Sequence, residues 1–280
     1  IYLIAPQVWA WRSGRISKRK KWVTKMLVLV PFEAELYEKH GVDAEFVGHP
    51  LLEHVSARRE YRSPNEIVER PRIAVLPGSR RSELSLHAKE ISKLCRLIRN
   101  LYPQVEFRTP VAPTVVGKPE LADYVEAGCK LVEDPAESVL KWADIAVVAS
   151  GTATLETALV GTPSVLFYRV AKLTEIIFRT ITPYRDFIGL PNVILKKELV
   201  PEFIQGNFTA EKMLPVVKRL IEDSAFRMEQ QAGLVELRKL LESAQLGSQP
   251  SDVVAKRVNG YLKQKSLVEG RRLLIEPTLT

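Results

Sequence analysis

Two short segments of this 280-residue sequence combine glycine with hydroxyl and charged side chains, as phosphate-binding turns do. The first, residues 76–83, reads LPGSRRSE. A strand that runs into Gly78 and Ser79 and then into a helix leaves backbone N–H groups free at the helix start, where an anion can bind. Arg80 would add a permanently charged, bidentate contact to a diphosphate. The Gly-Lys-Ser/Thr ending of a P-loop is absent, and the alternative is a plain turn in which Ser82 caps the helix.

The second segment, residues 149–156, reads ASGTATLE. Small residues around Gly151 let a phosphate approach the backbone closely, and the Ser150 and Thr152 hydroxyls can donate hydrogen bonds to it. Glu156 follows Thr152 by about one helical turn on the same face, so its carboxylate could accept hydrogen bonds from the two hydroxyls of a ribose. The alternative makes Ser150 or Thr152 an N-cap and Glu156 a partner of the helix dipole.

Two further residues, Asn192 and His49, stand in turns. Asn192 ends the run IGLPN and offers a donor and an acceptor, although an asparagine beside a proline more often serves the turn itself. His49 stands in GHP at the end of a strand without an acid to orient it, and a lone histidine is more often structural than catalytic. The sequence has no metal-ligand cluster, no nucleophile elbow and no GxGxxG motif.

The elements that must position these residues alternate between strand-like and helix-like segments, which predicts a parallel α/β architecture. Each glycine-containing segment follows a short apolar run, at 72–76 and at 144–148, and precedes a helical pattern. In open parallel sheets the ligand binds beyond the carboxyl ends of the strands, which is where both segments fall. A polar, charged stretch at 56–71 predicts a linker between two α/β units, and beyond Glu198 the pattern is mostly helical.

The net charge of +8 is unevenly distributed, because basic residues crowd one segment near the start of the chain. That segment, from Trp9 to Lys25, contains no acid and carries three tryptophans. Such a run is usually a solvated helix face. Basic side chains, however, attract anionic headgroups, and indole rings prefer the interface between water and lipid, so we expect a peripheral membrane contact in preference to a nucleic-acid contact. The expected contact residues are Trp9, Trp11, Arg12, Arg15 and Trp22.

Short stretches along the chain match one family's pattern in both order and spacing: PQVWAWR at 6–12, PFE at 31–33, FVGHP at 46–50, LPGSR at 76–80, ASGTATLE at 149–156 and LPN at 190–192. Each stretch is weak by itself, but their combination is highly specific. Over nearly the whole chain, the sequence resembles the lipid-A-disaccharide synthase family of glycosyltransferases.

The resemblance implies an α/β fold of the GT-B type, with two Rossmann-like domains facing a cleft and the N-terminal one only partly present. We expect residues 1–62 to be the remainder of an acceptor-binding, membrane-facing domain. Residues 63–250 are expected to bind the UDP-sugar, and residues 251–280 to form a C-terminal helix and tail.

The implied reaction joins UDP-2,3-diacylglucosamine to 2,3-diacylglucosamine 1-phosphate. It yields the β-1,6-linked lipid A disaccharide 1-phosphate and UDP, inverts the anomeric carbon, and needs no cofactor and no bound metal. Arg80 is expected to stabilise the leaving UDP. The residues expected to bind substrate are Ser79, Ser150, Gly151, Thr152, Glu156 and Asn192. The family's proposed base is an aspartate in an N-terminal portion that precedes Ile1, so we expect no base within this chain.

The implied location is the cytoplasm, with the protein bound peripherally to the inner face of the inner membrane of Gram-negative bacteria. A homodimer built through the helical stretch after Ala210 is also expected, and nucleic acid is not an expected partner. Two alternatives remain at this point. One is another UDP-sugar transferase of the same fold from cell-envelope synthesis, for which a more glycine-rich phosphate turn is expected. The other is a UDP-binding module without activity.

Overall fold

The computed structural model describes residues 1–4, 22–57, 60–170, 187–244 and 248–273, and the side chains of the last helix as far as Lys263. The chain divides into two compact units. Residues Ile1–His54 and Leu240–Thr280 form the first unit, and residues Val55–Lys239 form the second.

The strands of the described residues are short and contain mostly apolar residues: β1 Tyr2–Leu3, β2 Met26–Val28, β3 Ala44–Phe46, β4 Arg72–Leu76, β5 Glu106–Pro110, β6 Cys129–Val132, β7 Ile145–Ala149, β8 Ser164–Tyr168 and β9 Glu202–Ile204. The α-helices are α1 Pro31–Lys39, α2 Leu51–His54, α3 Pro64–Glu69, α4 Arg81–Leu101, α5 Ala122–Glu126, α6 Ala136–Trp142, α7 Thr152–Val160, α8 Leu190–Leu195, α9 Ala210–Glu222, α10 Ser224–Glu242 and α11 Pro250–Leu273. Short 3₁₀ turns occur at Pro113–Val115, Pro119–Leu121 and Gln205–Asn207.

The first unit contains a parallel sheet in the order β1-β2-β3. The helix α11, which the sequence predicts as a separate C-terminal element, groups with this unit. Arg257 on α11 forms an ion pair with Glu45 on β3, and the Ser251 N–H donates to the Glu53 carboxylate at 2.6 Å. These contacts connect the two ends of the chain within one unit.

The second unit contains a six-stranded parallel sheet in the order β6-β5-β4-β7-β8-β9. Numbered along the chain within this unit, the strands lie in the order third, second, first, fourth, fifth, sixth. That order belongs to doubly wound α/β folds, and it reverses direction between β4 and β7. Such a reversal is the place where these folds bind ligands.

Burial explains why the strands of the second unit are apolar throughout. Every residue of β7 is buried, as are all of β4 except Arg72, because helices cover both faces of a parallel sheet. The helix α4 packs on this sheet through apolar residues at helical spacing, of which Leu84, Ile91 and Leu94 are fully buried.

The structure confirms most elements predicted from the sequence, including the strands that precede the two glycine-containing segments and the helices that follow them. The polar stretch predicted to be a linker, residues 56–71, includes the short helix α3, whose start is capped by Ser63 and Glu66 in a reciprocal hydrogen-bonded pair. The region after Glu198 is mostly helical, as predicted, and also contains the short strand β9, which completes the sheet.

The α/β class and the two parallel sheets are thus confirmed, while the cleft between two domains stays a prediction. None of the helices in the described part of the chain is long and apolar enough to cross a membrane.

Candidate functional site

The two glycine-containing segments leave neighbouring strands at the same edge of the sheet. β4 pairs with β7 in parallel, with Leu76 opposite Val148. Residues 77–80, here called the first loop, and residues 150–152, here called the second loop, therefore leave the sheet side by side. They do so at the point where the strand order reverses, as expected for a ligand site in a doubly wound sheet.

The first loop is held by the carboxylate of Glu83. Its Oε2 accepts hydrogen bonds from the N–H groups of Ser79 at 3.1 Å and Arg80 at 3.3 Å, and its Oε1 accepts one from Arg80 Nη1 at 2.6 Å. Gly78 permits this contact, because its φ is +117° and a Cβ there would lie 2.5 Å from Glu83 Oε2. The Thr114 hydroxyl donates to the Ser79 carbonyl at 2.6 Å. Two N–H groups that the sequence predicted to be free for an anion are thus bound to the protein's own carboxylate.

Arg80 keeps most of its hydrogen-bonding capacity. A guanidinium group carries five N–H donors, and Glu83 is the one partner that Arg80 has among the described residues. The side chain is 75% exposed, and the hydrogen bond with Glu83 raises the pKa of Arg80, so the group stays cationic. Arg80 can therefore face an anionic ligand.

The second loop differs from the first, because the helix that follows it starts without a cap from the described residues. α7 begins at Thr152 with no side chain capping its N-terminus, and within the described residues the N–H groups of Thr152 and Ala153 have no acceptor. Gly151 has a φ of +151°, and a Cβ there would meet no atom of the described residues within 4 Å. The Ser150 N–H donates to the Phe167 carbonyl at 2.9 Å, which ties this loop to β8. As far as the described residues extend, the start of α7 thus presents N–H groups without a protein acceptor, together with the positive end of the helix dipole.

Glu156 lies one helical turn after Thr152 and is half-buried. In the part of the chain that the structure describes, its carboxylate has no hydrogen-bond partner. Burial raises the pKa of Glu156, and the nearby charge of Glu137 raises it further. A partly desolvated carboxylate without a partner can accept hydrogen bonds from a ligand.

Asn192 is buried, and its side chain is fully engaged within the protein. Its Nδ2 donates to the Val200 carbonyl at 2.7 Å and to Glu202 Oε1 at 2.8 Å, and its Oδ1 accepts from the N–H groups of Leu199 and Val200, both at 2.8 Å. An amide side chain has two donor hydrogens and one acceptor oxygen with two lone pairs, so all four positions are occupied. Glu202 also accepts hydrogen bonds from the Ile188 and Gly189 N–H groups, both at 2.9 Å. Asn192 thus lies on the helix α8 and not in a turn as the sequence predicted, and it joins α8 to the chain that leads into β9. Its predicted contact with substrate stays a prediction.

The remaining residues singled out from the sequence belong to the first unit or lie outside the described residues. Trp22, in the first unit, is 88% exposed, and Trp9, Trp11, Arg12 and Arg15 are outside the described residues. His49 Nδ1 accepts a hydrogen bond from the Leu51 N–H at 3.2 Å at the start of α2, and burial lowers the pKa of His49 to about 4. His49 is therefore neutral near physiological pH and structural in this contact.

Sequence reasoning named neither Glu83 nor Glu202 as part of the site. Glu83 had a local signal, because a glutamate three residues after the residue preceding a helix commonly reaches back to the N–H groups there. Glu202 had none, since its partners lie from 10 to 14 residues earlier in the chain.

Residues 1–255 match the model of the lipid-A-disaccharide synthetase family. The lipid-A-disaccharide synthase of Koribacter versatilis (strain Ellin345) is 36% identical over 277 residues, covering 95% of this chain and 70% of that protein. That of Geobacter metallireducens is 35% identical over 260 residues, covering 91% and 67%. That of Anaeromyxobacter dehalogenans is 36% identical over 247 residues, covering 86% and 64%. The chain spans between 64 and 70% of the length of these relatives.

Among solved structures, the calicheamicin glycosyltransferase CalG4 is similar with a TM-score of 0.49 at 18% identity, covering 86% of this chain and 52% of that chain. WaaG, a glycosyltransferase involved in lipopolysaccharide biosynthesis, is similar with a TM-score of 0.46 at 13% identity, covering 81% and 60%.

Proposed function

This chain belongs to the lipid-A-disaccharide synthetase family, and from that premise we propose that it carries the sugar-nucleotide site of a glycosyltransferase of lipid A biosynthesis. The proposed donor is UDP-2,3-diacylglucosamine and the proposed acceptor is 2,3-diacylglucosamine 1-phosphate. The products are then UDP and the β-1,6-linked disaccharide 1-phosphate, formed with inversion.

One observation carries the assignment of the site. The loops that follow the neighbouring strands β4 and β7 bring an exposed arginine, Arg80, and the uncapped N-terminus of α7 to the switch point of the sheet. A diphosphate needs compensating positive charge, which Arg80 and the start of α7 can supply from two sides. The hydroxyls of Ser79, Ser150 and Thr152 are proposed as further donors to phosphate oxygens, and Gly151 leaves room for the phosphate to reach the backbone.

Glu156 is proposed to bind the ribose of UDP. Its carboxylate lacks a protein partner among the described residues and lies one turn from the second loop, which suits the two neighbouring hydroxyls of a ribose attached to the diphosphate. For Asn192, whose hydrogen-bonding positions are taken within the protein, we propose a supporting role that fixes residues 188–192.

In the proposed reaction, the acceptor 6-hydroxyl oxygen attacks the anomeric carbon from the face opposite UDP. A bond forms between that oxygen and the anomeric carbon, the bond from the anomeric carbon to the diphosphate oxygen breaks, and its electron pair leaves with UDP. A general base takes the hydroxyl proton, and we assign that base to no residue of this chain. Arg80 and the second loop stabilise the charge that grows on the leaving diphosphate.

The proposal is tested by measuring UDP binding calorimetrically to the wild-type chain and to the variants Arg80→Ala and Glu156→Ala. We expect each substitution to weaken UDP binding by about tenfold or more, because each removes charge-assisted hydrogen bonds. The matched controls are Arg81→Ala, which removes the neighbouring arginine that pairs with Glu120, and Glu126→Ala on α5. Wild-type protein that is folded but does not bind UDP would overturn the proposal.

We further propose that the protein acts at the inner face of the inner membrane and forms a homodimer through the helices after Ala210. The exposure of Trp22 supports a lipid contact, since indole rings prefer the membrane interface. Co-sedimentation with anionic vesicles should decrease on Trp22→Ala, and sedimentation velocity should give the mass of a dimer. If the wild-type protein and Trp22→Ala co-sediment equally with the vesicles, Trp22 does not contribute to the lipid contact.

A further inference from the structure

His87 is a buried histidine that contacts the first loop and the end of β8 at once. It lies on α4, one helical turn after Glu83, and its side chain is inaccessible to solvent. Its ring Nδ1 lies 2.8 Å from the carbonyl oxygen of Pro77, where the first loop begins. Its ring Nε2 lies 3.3 Å from the backbone nitrogen of Arg169, the residue that follows β8.

These two partners admit a single protonation state of His87. A carbonyl oxygen only accepts, so Nδ1 carries the proton and donates it; a backbone N–H only donates, so Nε2 is unprotonated and accepts. Burial lowers the pKa of His87, in the direction that keeps this neutral form. Among the described residues, the charged and titratable groups that face the ring are Glu83 on its own helix, Tyr168 at the end of β8 and Arg169, which follows it.

Aromatic contacts fix the plane of the His87 ring. Its centroid lies 5.0 Å from that of Phe167 and 5.6 Å from that of Phe208, in edge-to-face geometry with both. Arg169 is fixed as well, because its Nη2 donates to the Phe208 carbonyl at 2.5 Å and its guanidinium carbon lies 4.8 Å from the centre of the Phe208 ring. The link through His87 thus joins two rigid attachment points.

The link connects the strands on either side of the second loop. β7, which leads into the second loop, lies between β4 and β8 in the sheet, and His87 joins the chain after β4 to the chain after β8. Charges at the start of α4 and in the first loop also reach Tyr168, because burial and Glu83 raise the pKa of its phenol and Arg80 lowers it. Together with the hydrogen bond from the Ser150 N–H to the Phe167 carbonyl, the contacts of His87 join the ends of β4, β7 and β8 at the candidate site.

We infer that His87 is a positioning residue for the donor site. As the neutral Nδ1–H tautomer it joins the first loop to the chain after β8, and so holds Arg80 and the second loop as one surface for a nucleoside diphosphate. This inference rests on the proposed function. His87 acts through Pro77 and Arg169, and its buried ring does not touch the ligand.

The test compares UDP binding by calorimetry in wild-type protein and in His87→Phe, His87→Asn and His87→Gln, each well below its own unfolding midpoint. Phenylalanine keeps the aromatic packing and removes both hydrogen bonds. Asparagine can restore the donor to Pro77, and glutamine can restore the acceptor for Arg169. The matched control is His40→Phe in the first unit, which removes a histidine contact to the Leu36 carbonyl at 2.8 Å.

We expect His87→Phe to bind UDP about tenfold more weakly, the two single-bond variants to lose about threefold, and His40→Phe to bind as wild type does. If His87→Phe does not fold, His87→Gln and His87→Asn carry the same comparison. A purely structural histidine would lower the unfolding temperature of folded variants and leave UDP affinity unchanged, and that result overturns the inference alone. Wild-type protein that does not bind UDP overturns the proposed function, and the inference with it.

Discussion

The two loops at the switch point resemble each other in sequence but differ in whether their backbone N–H groups have an acceptor among the described residues. Each follows a buried strand, contains a glycine with positive φ and precedes a helix. In the first loop the N–H groups are bound to the carboxylate of Glu83. In the second loop no side chain of the described residues caps the corresponding end of the helix, and none of their atoms would meet a Cβ at Gly151. Within the described part of the chain, the N–H groups of the first loop are therefore paired and those at the start of α7 are not.

The same contrast separates the two other predicted binding residues. Asn192 has all its hydrogen-bonding positions filled by the protein, whereas the Glu156 carboxylate has no partner among the described residues. Groups that are satisfied within the protein contribute to folding, whereas accessible groups without a partner among the described residues remain available to water or to a ligand. Substituting a group that is hydrogen-bonded within the protein should therefore mainly lower the free energy of unfolding. Substituting a group without a protein partner should mainly weaken UDP binding.

The largest effect is expected for Asn192→Ala. The change leaves buried backbone groups and part of Glu202 without partners, so the free energy of unfolding should fall by about 3 kcal/mol or more. Urea denaturation measures this, and Asn207→Ala, at an exposed asparagine, is the control. A folded variant that has wild-type stability but no longer binds UDP would show that Asn192 acts in ligand binding and not in stability.

The next largest effect is expected for Gly151→Asp. A carboxylate at the start of α7 would repel the diphosphate and occupy its space, so UDP binding should weaken by about a hundredfold. Gly117→Asp is the control, because Gly117 also has a positive φ, +69°, and a Cβ added there would also meet no atom of the described residues within 4 Å. If calorimetry finds both variants equal to wild type, the second loop does not hold the phosphates.

A smaller effect is expected for Glu83→Ala. Losing the carboxylate frees two N–H groups of the first loop and the Arg80 side chain, which should lower the free energy of unfolding by about 1 to 2 kcal/mol. Urea denaturation beside Glu126→Ala checks this. Equal stability of the two variants would mean that the first loop holds its conformation without Glu83.

The smallest effect is expected for Glu156→Gln, and it has the opposite sign. Burial raises the pKa of Glu156, so the ionised form is penalised in the folded state, and its removal should stabilise the protein near neutral pH by about 0.5 kcal/mol after allowance for solvent screening. The gain should fade as the pH falls through the raised pKa and should be lost below the ordinary value of 4.5, because the wild-type carboxyl is then protonated in both states. Denaturation at both pH values tests this, and a gain that persists at the lower pH would assign it to another cause. UDP affinity should fall in the same variant.

The elements that deliver the site could be predicted from sequence, because their signals are local. β4 and β7 are continuous apolar runs since both faces of the sheet are covered, and α4 shows its buried stripe at helical spacing. The glycines that end the strands mark both loops. Position at the switch point then follows from strand order.

The pairing of the first loop had a local signal in Glu83, which stands where a capping-box glutamate reaches back to the N–H groups before a helix. The engagement of the other groups could not be predicted, because their partners lie farther away in the chain. The engagement of Asn192 requires β9, a three-residue strand too short to give a periodic pattern. The link through His87 joins residues 82 positions apart in the chain.

The assembly of the first unit from both ends of the chain bears on the order of folding during synthesis. The second unit has its own sheet and core, so it can fold while it emerges from the ribosome. The strands β2 and β3 have a core of their own with α1, but Glu45 and Glu53 gain their partners only after α11, which is made much later, has been synthesised. A stop codon just before Pro250 would accordingly remove these partners of the first unit and leave the strands of the six-stranded sheet in place.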